Sequence, residues 1–80
     1  MPKLRALAAK EIIAFLEKHG FVVVSQKGSH AKLRREVSGM RQTLTIPQHD
    51  ELDRGTTGAI YRQASRFIPE TELRKLFYTE

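Results

Sequence analysis

Apolar residues recur at helical spacing along the first part of the chain. Ala8, Ile12, Phe15 and Leu16 form a stripe across residues 5–18, with Leu4 and Ile13 beside it and Lys10, Glu11, Glu17 and Lys18 off it. The pattern predicts an amphipathic helix. Lys18 and His19 fall in its last turn, where positive charge suits the helix dipole, and Gly20 is placed to end it in a left-handed cap. His19 therefore reads as a capping residue rather than a catalytic one. The period then switches from helical to extended. Residues 21–26 (FVVVSQ) are β-branched and aromatic, which predicts a short buried strand, and Gly28-Ser29 provide a turn. A second strand is expected over 30–37, a turn at Ser38-Gly39, and a third strand over 42–46 ending at Pro47.

Strand alternation assigns faces. His30, Lys32, Arg34, Thr43 and Thr45 share one side, and Leu33, Val37, Leu44 and Ile46, with Ala31, share the other. Residues 48–55 are polar and read as a loop. A second helix is expected to start near Thr56 or Thr57, either serving as N-cap, with Ile60, Ala64 and Phe67 as its buried stripe. Gly58 in its first turn costs about 1 kcal/mol relative to alanine. Pro69 breaks that helix and can open a short third one carrying Leu73, Leu76 and Phe77. The resulting order, α-β-β-β-α with a short C-terminal helix, is an α+β fold. Its three-stranded antiparallel sheet has helices on one face and solvent on the other, the architecture of double-stranded-RNA-binding domains.

Composition narrows the picture. Eighty residues suggest a single domain spanning 1–80, with a thin core, since chains of this size bury only about 60–65% of the surface they expose when unfolded. The absence of cysteine removes disulfides, thiolate nucleophiles and cysteine-type zinc sites together. No apolar run is long enough for a membrane span and no signal peptide is evident, so a soluble cytoplasmic protein is expected. The formal net charge is +5, and +4 of it lies between Lys27 and Arg41, where five basic residues face one acidic residue, Glu36. Positive charge is thus concentrated on the expected hairpin, which favours an acidic or nucleic-acid partner there.

Lys27-Gly28-Ser29-His30 brings a turn, an imidazole and cations together. An imidazole can take or give a proton near neutral pH, and RNA supplies its own nucleophile in the 2′-hydroxyl. Lys32 lies about 7 Å further along the same face and Arg34 about twice that, distances suited to holding phosphates beside the reaction. On pattern alone, a histidine in a basic stripe is more often a phosphate contact or a solvated side chain than a catalyst. His49 reads as a structural hydrogen-bonding residue with a subsidiary site role left open. Ser29 lacks an acidic partner for a hydrolase triad and reads as a turn residue. His49 and Asp50 have too few companions to form a metal site.

Three stretches resemble the HicA family of small bacterial toxins. Leu16 to Phe21 leads into Lys27-Gly28-Ser29-His30, similar to the family's Gly-Ser-His signature. Ile46-Pro47-Gln48-His49 resembles its proline-histidine exit from the sheet, and Gly55-Thr56 through Ile60-Tyr61-Arg62-Gln63-Ala64 resembles its second helix. The chain departs at Ala31, where many members carry histidine or an aromatic, and at Thr57-Gly58, which replace a bulkier pair. The resemblance implies a ribonuclease acting on mRNA without a metal or other cofactor, with His30 as the catalytic residue, and a HicB-type antitoxin as partner. The expected RNA contacts are Lys27, Gly28, Ser29, Lys32, Arg34, Arg35 and Arg41. Two alternatives stand beside it: a module that binds structured RNA without cutting it, and a docking face for an acidic protein.

Overall fold

Residues 3–79 are described by the structure, a computed structural model. In chain order they form β1 (Lys3–Leu4), α1 (Ala9–Lys18), β2 (Val22–Lys27), β3 (His30–Val37), β4 (Met40–Pro47), α2 (Arg54–Ala64), α3 (Glu70–Phe77) and β5 (Tyr78–Thr79). The expected α+β architecture is present. β2, β3 and β4 make an antiparallel sheet in that order, and Ala31, Leu33, Leu44 and Ile46 on one of its faces join the helix residues Ile12, Leu16, Ile60, Leu73 and Phe77 in one core. Each full burial of a Leu, Ile or Phe side chain stabilises the fold by about 1.5–3 kcal/mol.

The end of α1 follows from Gly20. Its φ of 93° permits the cap in which Gly20 N–H donates to Glu17 O (3.1 Å) and Phe21 N–H donates to Leu16 O (3.0 Å). Leu16 and Phe21, brought together by that pattern, are both buried. At its start α1 has no side-chain cap; instead the His49 carbonyl accepts from Ala9 N–H (3.1 Å) and Glu11 reaches back to Ala8 N–H (2.9 Å).

The helix begins at Ala9 rather than near residue 5, because Lys3–Leu4 pair with Tyr78–Thr79 and Arg5 N–H donates to Phe77 O. That small second sheet joins segments more than seventy residues apart, so no local pattern announces it.

Three other expectations need correction. The strand at residues 21–26 is buried only at Phe21; β2 is an exposed edge strand throughout, because α1 and α2 contact β4 at the opposite side of the sheet. Val37 is 42% exposed rather than in the core, since it lies at the hairpin tip beyond the helix layer. The N-cap of α2 is Asp53, whose carboxylate accepts from Thr56 N–H (2.6 Å), and the helix starts at Arg54. Thr57 is buried, and its hydroxyl donates to the Asp53 carbonyl (2.9 Å).

Candidate nucleic-acid interface

The two turns of the sheet differ in the backbone they require. Gly28 alone has a positive φ (58°) in the turn joining β2 to β3, whereas both Ser38 (53°) and Gly39 (78°) do in the turn joining β3 to β4. The first turn sets Lys27 directly opposite His30. On its other side His30 pairs with Pro47. Further along the same face, Lys32 lies between Ser25 and Thr45, Arg34 between Val22 and Thr43, and Glu36 opposite Arg41. His30, Lys27, Ser25, Lys32, Thr43 and Thr45 are all exposed. The open polar face is therefore present as the alternation predicts, with cross-strand neighbours about 4.5–5.5 Å apart.

A bulge decides which β2 residues join it. Regular pairing would place Gln26 beside His30; the register shift between Val23 and Ser25 inserts one residue and brings Lys27 there instead. The same end is tied down from β4. Gln48 N–H donates to Ser29 O, and the Gln26 side-chain amide donates to Gln48 Oε1 (2.8 Å). Beyond this clasp the chain turns toward α1, where the His49 carbonyl supplies the cap already described. Its exposed side chain lines a hollow of about 270 Å³ with Lys10, Gln48 and Asp50.

The expected cationic set thus separates. Lys27, Gly28, Ser29 and Lys32 gather around His30, while Arg34 and Arg41 lie further along the open face. Arg35 is on the other side. It shares the parity of Ala31 and Leu33, and its guanidinium donates to His19 O (2.8 Å), Phe67 O (2.9 Å) and Gln42 Oε1 (2.9 and 2.6 Å). Its guanidinium is therefore engaged by the scaffold rather than projecting from the open face, and strand parity already carried that signal.

Arg34 is half-buried, and its Nε is sealed from solvent with no hydrogen-bond partner among the described residues. An unmet donor of that kind costs about 1–3 kcal/mol. The exposed valines Val22 and Val24 beside it are the other feature that a reading of residues 21–26 as buried passes over. Among the described residues, no group of three or more His, Cys, Asp or Glu side chains is placed to hold a metal ion, and no helix is long and apolar enough to cross a membrane.

The family described as HicA toxin of bacterial toxin–antitoxin systems matches residues 9–65. No curated protein and no solved structure gives a significant match. The matched span opens at the first residue of α1, closes just past α2, and contains the whole three-stranded sheet with the Gly28-Ser29-His30 turn. Covering well over half of the sequence, it establishes that this chain belongs to the HicA toxin family.

Proposed function

We propose that the protein is the toxin of a type II toxin–antitoxin system and an endoribonuclease that cuts mRNA, with His30 carrying one of the two proton transfers. The observation supporting this most directly is the exposed His30 flanked by Lys27 across the turn and Lys32 along the strand. In the proposed reaction the RNA 2′-hydroxyl gives up its proton and its oxygen bonds to the adjacent phosphorus. The bond from phosphorus to the 5′-oxygen breaks, and that oxygen takes up a proton, leaving a 2′,3′-cyclic phosphate and a 5′-hydroxyl. The nucleophile comes from the substrate, so the protein must supply proton transfer and charge stabilisation. His30 suits the first, and the Lys27 and Lys32 ammonium groups suit the second by opposing the charge that builds on the phosphate oxygens.

Membership of a toxin–antitoxin family supports a cognate antitoxin of the HicB type as partner. Positive charge around His30 would favour an acidic inhibitory surface. The decisive experiment compares wild type with His30→Ala on mRNA in the presence of a chelator. Cleavage by wild type, with a loss on the order of 10²–10⁴ in the variant, is expected for a removed acid–base group. An all-DNA analogue should remain intact, because it lacks the attacking hydroxyl. Equal cleavage by both proteins would remove His30 from the mechanism, and RNA binding without cleavage would make the protein a binding module.

A further inference from the structure

We infer that the hollow beside Arg34, at the far end of the open face from the Gly28-Ser29 turn, holds a nucleobase of the bound RNA; the inference rests on the ribonuclease reading of that face. The hollow has a volume of about 180 Å³ and is lined by Val22 and Val24 of β2, by Arg34 and Glu36 of β3, and by Gly20 and Arg35, whose guanidinium is already engaged by His19, Gln42 and Phe67. Its chemistry differs from that around His30. Val22 is 60% and Val24 44% exposed, giving the edge strand an uncovered apolar wall. Arg34 is half-buried and lines the hollow beside this wall, its Nε without a hydrogen-bond partner among the described residues. A guanidinium plane is a stacking surface for an aromatic base, and its terminal N–H groups are hydrogen-bond donors.

Glu36 identifies which part of a nucleotide belongs there. Its exposed carboxylate makes no salt bridge among the described residues. A carboxylate repels a phosphate but accepts hydrogen bonds from base amino and imino groups, as acidic side chains do when they contact cytosine N4. Donor, acceptor and apolar wall within one small hollow thus match a base edge and face, rather than sugar-phosphate backbone. Arg34 is four residues from His30, about 13 Å along the strand. That exceeds the stacking step of about 3.4 Å several-fold. The RNA would lie splayed across the sheet, with bases turned out as in single-strand recognition.

The test uses the full chain carrying His30→Ala, so that RNA is not consumed, and measures affinity for a single-stranded RNA oligomer by fluorescence anisotropy. An abasic nucleotide is placed at each position in turn. Loss of one stacked base is expected to weaken binding about tenfold at a single position displaced from the cleavage site. Adding Arg34→Met, or separately Val22→Ser, should abolish that positional penalty while circular dichroism shows the fold retained. A flat abasic scan on RNA that does bind would overturn the base site and leave the ribonuclease reading standing. Failure to bind RNA even at low salt would remove both. A penalty unchanged by both substitutions would also overturn the assignment, as would an Arg34→Met variant that weakens only antitoxin binding.

Discussion

The Arg35 guanidinium carbon lies 4.7 Å from the centre of the Phe21 ring, on the helix side of the sheet. Together with its hydrogen bonds to His19, Gln42 and Phe67, this contact ties the end of α1, strand β4 and the segment after α2 to β3. Arg35→Met should therefore destabilise the fold by about 3 kcal/mol, chiefly by leaving the two carbonyls without their charged donor. Urea unfolding measures the loss. Lysine at this position should recover only part of it, lacking the planar fork. RNA affinity per folded molecule should be unchanged, and a large fall there would return Arg35 to the binding face.

Lys27 and Lys32 flank His30 on the open side. If each neutralises one phosphate of a single-stranded RNA, alanine substitution should reduce the slope of log affinity against log salt concentration by about 0.7 per lysine. Titrations at several salt concentrations give that slope. An unaltered slope in Lys32→Ala would exclude it from phosphate binding.

Hydrogen bonding from Thr56 holds the Asp53 carboxyl below its ordinary value of 3.8, with a smaller contribution from the charge on His49. The ionised form is favoured in the folded state. Its stabilising effect is complete above the ordinary aspartate range and disappears as pH falls through the lowered value. Asp53→Ala should accordingly be less stable than wild type at neutral pH, with the gap closing as the solution is acidified below about pH 4. Urea midpoints across that range test the sign; a gap that widens on acidification would contradict the capping role.

Tyr61 packs edge-on against Phe77 and Tyr78, and its hydroxyl donates to Glu70 Oε1 (2.9 Å). Burial, followed by the hydrogen bond to Glu70, raises its phenol above the ordinary value of 10.0. The neutral form is favoured in the folded state, so this stabilisation is present below the ordinary phenol range and lost as pH rises through the raised value. Tyr61→Phe should cost about 1 kcal/mol near neutrality. The difference should shrink in alkali, because only the wild type has a phenol to ionise. Thermal melts from neutral to alkaline pH measure both effects.

Much of the candidate site was legible before any tertiary information. From His30 to Arg34 strict alternation assigns alternate side chains to opposite faces, and Gly28 and Gly39 mark the turns that define the strand. Parity also carried the clue to Arg35, but its positive charge suggested solvent. What reversed that expectation was a set of acceptors up to thirty-two residues away in sequence. Likewise Val22 to Val24 have the composition of a buried strand, yet nothing within the segment specifies whether a helix covers it.

By itself, the sequence determined the features governed by neighbours a few residues apart: the amphipathic face of α1, its glycine cap, the turns, and the side of β3 on which His30 emerges. Only tertiary structure decided that β2 is an uncovered edge, that its bulge sets Lys27 opposite His30, that β1 meets β5, and that Arg35 serves the scaffold. Local conformation depends on backbone sterics and side-chain period. Exposure depends instead on which distant surfaces come to cover a residue, and the same valine or arginine is compatible with either outcome until they do.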